Sequence, residues 1–145
     1  MKLDTIDNVF TAFDQQKVMI IGDVMIDSYL WGEVNRISPE APVPVVNVKK
    51  RELRLGGAAN VAVNVKALGA TPILCSVIGQ DSDGDDFLAL LDQSHLGKEG
   101  IVQSEDRLTT IKHRILSGHQ HMLRVDSEVN HAINTKELSQ LWERI

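Results

Sequence analysis

The sequence has few cysteines and no long apolar run, and each scarcity excludes a class of protein. A single cysteine, Cys75, excludes a disulfide scaffold and a zinc site built from several thiolates. It lies in the apolar run 72–78, so we expect a buried thiol rather than a reactive one. No apolar run approaches the roughly 18 residues that span a bilayer, and residues 1–8 are too acidic for a signal peptide. These absences predict a soluble, reduced protein of the cytoplasm without a membrane partner.

Positive charge is also scarce. The chain carries 15 Lys and Arg residues against 20 Asp and Glu residues, a formal net charge of −5, which argues against a nucleic-acid partner. Because 43% of its 145 residues are hydrophobic and only 24% are charged, disorder is excluded as well. The length suits one domain with a sizeable core.

Strand-like and helix-like patterns alternate along the chain. Three short apolar runs are typical of buried parallel strands: 17–22, 72–78 and 100–103. Four segments have helical periodicity: 4–15, 58–68, 82–94 and 135–145. Two β-rich segments interrupt this order, a proline-punctuated one at about 27–55 and a hairpin at 109–125. The alternation predicts an α/β fold with a parallel sheet, and the abrupt helical end favours a fragment of something longer.

Two carboxylates, Asp23 and Asp27, follow the first predicted strand. Ligands of open α/β sheets bind at the carboxyl ends of strands, and a carboxylate accepts hydrogen bonds from two sugar hydroxyls at once. The other interpretation is that Asp23 caps a turn and Asp27 is a solvated loop residue, and position alone leaves both open. The strand is not followed by Gly-x-Gly-x-x-Gly and the chain has no P-loop, which disfavours a dinucleotide-binding oxidoreductase.

A pair of glycines, Gly56 and Gly57, precedes the second predicted helix. Adjacent glycines let the backbone approach a ligand closely, and the first free N–H groups of the helix point at it. Asn60 lies in the first turn and offers a donor and an acceptor to a polyol, with Asn64 one turn later on the same face. A tight turn before a helix packed closely on its sheet gives the same pattern.

Together these residues resemble the first signature of the ribokinase-like (PfkB) carbohydrate kinases. The matching positions are Gly56, Gly57, Ala58, Asn60, Ala62, Gly69 and Gly79. A second match, Gly79, Asp81 and Gly84, resembles the Gly-x-Asp-x-x-Gly turn of the family. Within the family, three segments are similar to bacterial heptose 7-phosphate kinases, which are often fused to a heptose 1-phosphate adenylyltransferase: 22–27, 36–45 and 56–62.

The resemblance implies a ribokinase-like three-layer α/β/α fold with a small β-sheet lid, of which this chain holds the N-terminal portion. The core is expected at about 1–27, 56–106 and 127–145. The lid insertions are expected at about 28–55 and 107–126. In the family such a lid covers the sugar and often pairs two subunits, so a homodimer through the lid sheet is expected.

Roles for individual residues also follow from the resemblance. It implies that Asp27 holds the sugar and that Gly56, Gly57 and Asn60 complete the pocket. Many members have Asn where Met25 stands, and Asp23 is the candidate to replace part of that contact. The lid cations that would meet a phosphate on the substrate are Arg36, Lys112, Arg114 and Arg124.

Lys112 and Arg114 alternate onto one face of a predicted strand. Two cations on one face can clamp a phosphate. An exposed strand whose positive charges discourage edge pairing gives the same pattern. His119 and His121 also share a face beside the hairpin turn, but nothing in the sequence supplies a third metal ligand, so no metal site is predicted.

The resemblance implies transfer of the γ-phosphoryl group of ATP, with Mg²⁺, to a sugar hydroxyl. The narrower similarity implies the anomeric hydroxyl of a heptose 7-phosphate, on the way to ADP-heptose for lipopolysaccharide. The family's base, an Asp in a Gly-x-Gly-Asp turn, and its ATP site belong to a C-terminal half that should lie beyond Ile145. We therefore expect no catalytic residue, no bound cofactor and no kinase activity for this chain alone. The alternatives are a kinase for another sugar or nucleoside, and a non-catalytic sugar-phosphate-binding or dimerisation module.

Overall fold

The computed structural model describes residues 6–145 and contains two β-sheets joined by helices. The elements in chain order are α1 (Ile6–Phe13), β1 (Lys17–Ile21), β2 (Val24–Ile37), β3 (Pro44–Gly57), α2 (Ala58–Ala67), β4 (Thr71–Gly79), α3 (Ser82–Gln93), β5 (Gly100–Ser104), β6 (Ile111–Ser117), β7 (Gln120–Ser127) and α4 (Thr135–Trp142). This order confirms the α/β class predicted from the alternating patterns. The start of the first predicted helix, residues 4–5, lies outside the described residues. No helix in the described range is long and apolar enough to cross a membrane.

The three predicted parallel strands form one sheet in the order β1-β4-β5. On the central strand β4, Cys75 is fully buried, as its apolar context predicts. Burial raises the pKa of the Cys75 thiol, so this cysteine is not poised to react.

The first strand is less buried than its apolar run predicts. Met19 is 43% exposed and Ile21 is 58% exposed. These two side chains lie on the same side of the sheet as Ile73 and Cys75, their partners on β4. The helix on that side, α4, packs on β4 and β5, so this stretch of β1 stays open among the described residues. The expectation of a buried first strand is therefore wrong for this face.

The second sheet has the order β3-β2-β6-β7, with β2 and β6 parallel and the other pairs antiparallel. We call it the lid sheet, because it occupies the two β-rich segments where the lid was expected. One face packs on the core: Ile26, Leu55 and Ile111 belong to the same buried cluster as Phe87 and Leu91 of α3. The opposite face therefore carries the residues that alternate with these.

A partly buried carboxylate, that of Asp81, joins the lid sheet to the core. Asp81 caps α3 by accepting the Gly84 N–H at Oδ1, 2.7 Å away, and accepts the Thr109 N–H at Oδ2, 2.8 Å away. Thr109 is buried and stands two residues before β6. The Gly79–Gly84 turn singled out in the sequence therefore fixes where β6 leaves the core.

Candidate functional site

Asp27 and Gly56 touch across the antiparallel pair β2–β3. The register pairs Met25 with Gly56 and Asp27 with Arg54. A Cβ on Gly56 would lie 2.8 Å from Asp27 Oδ2 and 2.7 Å from Met25 Cγ. Only glycine leaves room for the Asp27 carboxylate in this position, so the structure brings together the two residues that the sequence analysis grouped.

Gly57 turns the chain from β3 into α2. Its φ of 58° with ψ of −136° suits glycine alone, and a Cβ there would lie 2.4 Å from the carbonyl oxygen of Asp23. The Ala58 N–H donates a 2.9 Å hydrogen bond to that same carbonyl. One of the helix N–H groups expected to face a ligand is therefore already bonded within the turn.

Asn60 and Asp27 line a single cavity of about 600 Å³, together with Tyr29 and Arg54. The cavity thus presents a carboxylate, a carboxamide, an aromatic ring and a guanidinium. The first two can bind the hydroxyls of a polyol, and the last can bind an anion. Asn64 does not join this set, because its side-chain amide donates to the Asn60 carbonyl at 2.9 Å.

Asp27 forms an ion pair with Arg114 of β6. Arg114 Nη1 donates to Asp27 Oδ1 at 2.5 Å, and the side chains are 19% and 21% exposed. The guanidinium carbon of Arg114 also lies 5.4 Å from the centroid of the Tyr29 ring, while that of Arg54 lies 4.8 Å from it. Asp27 and Tyr29 are therefore flanked by two arginines.

Lys112 shares a face with Arg114, as the alternation predicts, because β6 pairs Lys112 with Asp27 and Arg114 with Tyr29. Lys112 Nζ donates to Asp126 Oδ2 at 2.9 Å and to Glu128 Oε2 at 2.8 Å. These hydrogen bonds, first to Glu128 and then to Asp126, raise the pKa of Lys112. The fourth lid cation, Arg124, donates to Asp126 Oδ1 at 2.9 Å. Three of the four lid cations, Lys112, Arg114 and Arg124, are thus already paired with carboxylates.

Two predicted site residues lie away from Asp27. Asp23 lines a separate cavity of about 440 Å³ at the end of β1, together with Met25 and Lys112. Arg36 stands nine residues beyond Asp27 on β2, about 30 Å along a straight strand, pairs with Val45 and lines a third cavity. The sequence grouped these residues with Asp27, and the folded chain does not.

Arg54 and Tyr29 are the site residues that sequence reasoning missed. The signal was present as alternation: Tyr29 follows Asp27 by two residues on β2, and Arg54 shares a face with Glu52 and Lys50 on β3. Two-residue periodicity places them on the Asp27 face once the pairing of β2 with β3 is known. The pairing could not be fixed from the sequence, because the connecting segment contains prolines rather than a tight hairpin turn.

The described residues do not bring together a set of metal ligands at this site. Residues 6–145 contain no group of three or more His, Cys, Asp or Glu side chains placed to hold a metal ion. His119 and His121 are both exposed, and the Asp27 carboxylate is already paired with Arg114. The chemistry available here is therefore that of binding and orienting a polar, anionic small molecule.

The sequence of this chain is similar to that of carbohydrate kinases. Residues 15–145 match the pfkB family carbohydrate kinases. The bifunctional protein HldE of Magnetococcus marinus is 46% identical over 133 residues, which cover 92% of this chain and 27% of that protein. HldE of Helicobacter pylori is 45% identical over 119 residues, which cover 82% of this chain and 26% of that protein. The chain thus spans about a quarter of the length of these curated relatives.

The fold also matches a solved structure. The nucleoside kinase of Methanocaldococcus jannaschii, an archaeal member of the ribokinase family, aligns with a TM-score of 0.56 and 20% identity. The alignment covers 79% of this chain and 37% of that one, and at this identity it shows the fold alone. Because residues 15–145 match the family and the HldE proteins are 45–46% identical over most of this chain, the chain belongs to the pfkB family of carbohydrate kinases.

Proposed function

We propose that this chain forms the acceptor-sugar side of an ATP-dependent kinase that phosphorylates a heptose 7-phosphate at its anomeric hydroxyl. The product would lead to ADP-heptose for lipopolysaccharide, in the cytoplasm. One observation carries the proposal: the Asp27 carboxylate, seated against Gly56, shares a cavity with Asn60. The choice of heptose comes from the resemblance of segments 22–27, 36–45 and 56–62, and the identity with the HldE proteins supports it.

In this proposal the residues of the site act by position. Asp27 accepts hydrogen bonds from sugar hydroxyls through the lone pairs that Arg114 leaves free, while Arg114 fixes the orientation of the carboxylate. Asn60 adds a donor and an acceptor from the first turn of α2. Phosphoryl transfer depends mainly on positioning and on charge stabilisation, so holding the acceptor still is a substantial part of the catalytic task.

The remaining part of the task falls to groups outside these residues. ATP and Mg²⁺ supply the phosphoryl group and neutralise its charge in such kinases, and the base and nucleotide site are expected in a further portion of the kinase domain. The chain alone is therefore expected to bind the acceptor without transferring phosphate.

Isothermal titration of the 145-residue chain tests the proposal, with heptose 7-phosphate as ligand and ribose and ATP as controls. We expect saturable heat with the heptose phosphate, no heat with ATP, and loss of binding in Asp27→Ala. Asp86→Ala removes an exposed carboxylate of α3 outside the site and should bind as the wild type does. Absence of binding by the wild type, or heat with ATP alone, would contradict the proposal.

The proposal includes a homodimer formed through the lid sheet. Leu123 and Val125 support it, because they are 57% and 46% exposed on β7, a strand paired on one side among the described residues. A non-catalytic binding or dimerisation module is the alternative. It would bind the same sugar phosphate but would transfer no phosphate in a longer chain that carries the rest of the kinase domain.

A further inference from the structure

We propose that Arg54, rather than Lys112 or Arg114, binds the phosphate group that the acceptor sugar already carries. The inference rests on the proposed function and assigns one part of the same site. Three observations carry it: the charge balance of the lid sheet, the exposure of its cations, and the register of Arg54 with Asp27.

The charged side chains nearest Asp27 on the lid sheet form three ion-paired groups, and only one of these groups has a net charge. Arg114 is balanced by Asp27. Two cations are balanced by two carboxylates in the second group, made of Lys112, Arg124, Asp126 and Glu128.

The third group holds two cations and one carboxylate. Lys50 Nζ lies 2.7 Å from Glu52 Oε2, and Arg54 Nη2 lies 2.5 Å from Glu52 Oε1. These three side chains sum to one positive charge, so an incoming anion completes the balance here without displacing a carboxylate. At Lys112 it would have to compete with Asp126 and Glu128.

The same cations also differ in how much of each side chain is exposed to solvent. The Arg54 side chain is 55% exposed, whereas that of Arg114 is 19% exposed and that of Lys112 is 16% exposed. Within residues 6–145, Arg54 uses Nε and one N–H of Nη2 for its bonds to Glu52 Oε1, which leaves the Nη1/Nη2 edge, with one N–H of each nitrogen, for a ligand. A guanidinium offers two parallel donors to phosphate oxygens, so the open edge of Arg54 suits a phosphate group.

The register of β2 with β3 places Arg54 beside Asp27, the residue that is proposed to hold the sugar. Arg54 is paired directly with Asp27 across β2–β3, and such partners have Cβ atoms about 5 Å apart. Both line the cavity of about 600 Å³ with Asn60. The Tyr29 ring, 4.8 Å from the Arg54 guanidinium carbon, restricts the side chain to this side of the sheet. A sugar held by Asp27 therefore has its phosphate within one side-chain length of Arg54.

The test compares two ligands across four forms of the 145-residue chain by isothermal titration. The ligands are heptose 7-phosphate and the same heptose without phosphate, and the forms are the wild type, Arg54→Gln, Arg54→Lys and Arg51→Gln. Arg51→Gln is a matched control, because it removes the same charge from the same strand. Arg51 is paired with Leu30 and lies three residues before Arg54, so its side chain is on the opposite face of β3.

We expect Arg54→Gln to lower the affinity for the heptose phosphate at least tenfold. Its affinity for the unphosphorylated heptose should stay within twofold of the wild-type value. Arg51→Gln should change neither affinity more than twofold. Arg54→Lys, which keeps the charge but not the two-pronged donor, should fall between the wild type and Arg54→Gln. Added salt should lower the affinity for the heptose phosphate more in the wild type than in Arg54→Gln.

Wild-type affinity for the heptose phosphate in Arg54→Gln, alongside lost binding in Asp27→Ala, would overturn this inference and leave the proposed function standing. An equal loss for both sugars in Arg54→Gln would also overturn it, because the arginine would then serve the whole pocket rather than the phosphate. If the wild type binds neither sugar, the proposed function fails and the inference fails with it.

Discussion

Arg114 and Asp27, 87 positions apart in the chain, form a 2.5 Å hydrogen bond that joins β6 to β2 in the lid sheet. About a fifth of each side chain is exposed. The carboxylate that is proposed to hold the sugar thus also forms a contact that holds the two lid segments together. Binding and stability therefore have to be measured separately at this pair.

Arg114→Met should lower the free energy of unfolding by about 1–3 kcal/mol, because it leaves the largely buried Asp27 carboxylate without its partner. Urea denaturation of the single variants and of Asp27→Asn/Arg114→Met gives the coupling free energy of the pair. We expect the double variant to be more stable than the sum of the single losses predicts. Additive losses would contradict a direct interaction between the two side chains.

Gly57→Ala should destabilise the chain more than Gly118→Ala, although both glycines have a φ of 58°. A Cβ at Gly57 would lie 2.4 Å from the Asp23 carbonyl oxygen, whereas nothing lies within 4 Å of one at Gly118. We expect a loss of about 1 kcal/mol at Gly118 from backbone strain alone and at least about 2 kcal/mol more at Gly57. Thermal unfolding measures both, and equal losses would show that β3 and α2 relax to accommodate the methyl group.

The sequence was a good guide to elements and a poor guide to how strands pair. Apolar runs and glycine positions located β1, β4 and α2 to within a residue or two, because those patterns reflect local geometry and burial. Gly56 was grouped with Asp27 through the family signature, and the contact between them is present in the structure. These predictions depended on short-range order or on a motif that spans the site.

Arg36 and Arg54 show what could not be predicted from the sequence. Arg36 was selected for its family-like surroundings, yet it lies far along β2 from Asp27, while Arg54 lies opposite Asp27 and was not selected. The difference is a matter of register, and β2 and β3 are joined by a proline-containing segment and shifted by two irregularities, at Trp31/Gly32 and Val34/Arg36. No local pattern encodes such shifts, so the positions of Arg36 and Arg54 relative to Asp27 could not be derived.

Asp81→Asn should weaken the dependence of stability on pH in acid. Burial by itself raises the pKa of Asp81, but hydrogen bonds from Thr109 and Gly84 outweigh it and hold that pKa below the ordinary value. A carboxylate with a lowered folded-state pKa contributes stability that is complete above the unfolded pKa of about 3.9 and is lost as pH falls through the folded value.

Urea titrations of wild type and Asp81→Asn between pH 6 and pH 2 measure this contribution. The variant should be less stable at pH 6, because an amide offers one acceptor oxygen where Asp81 uses two, and the gap should narrow as pH falls. Asp85→Asn is the matched control, since it removes an exposed charge from the first turn of α3. A gap that stays constant with pH would show that the charge of Asp81 plays no part.

Glu137→Ala should detach α4 from the parallel sheet. Glu137 is 1% exposed, accepts the Ser104 hydroxyl at 2.6 Å and the Asn134 N–H at 2.7 Å, and lies 3.6 Å from Arg107 Nη1. Removing it takes the acceptor from the Ser104 hydroxyl and from the Asn134 N–H, and it leaves Arg107 without its ion-pair partner. We therefore expect a loss of about 2–4 kcal/mol. Hydrogen exchange should increase in α4 before it increases in β4, and Lys136→Ala, exposed in the same turn, should leave exchange unchanged. Uniform acceleration across both sheets would instead mean that α4 does not open as a separate unit.

Leu123→Lys should weaken self-association if copies of the chain pair through the lid sheet. Leu123 is 57% exposed, so the substitution costs little in the folded monomer but places a charge in the proposed interface. Sedimentation velocity over a concentration series should show a dimer dissociation constant at least tenfold higher than that of the wild type. Gln120→Lys adds the same charge at the exposed start of β7 and serves as the control.

A second exposed apolar surface, on β1, is an alternative place for two chains to associate. Met19 and Ile21 on β1 are also exposed, and two chains could associate there instead. Met19→Lys distinguishes the two surfaces, because it alters the parallel sheet and leaves the lid sheet intact. A dimer that survives Leu123→Lys and is broken by Met19→Lys would contradict pairing through the lid, and a monomer at every concentration of wild type would contradict it as well.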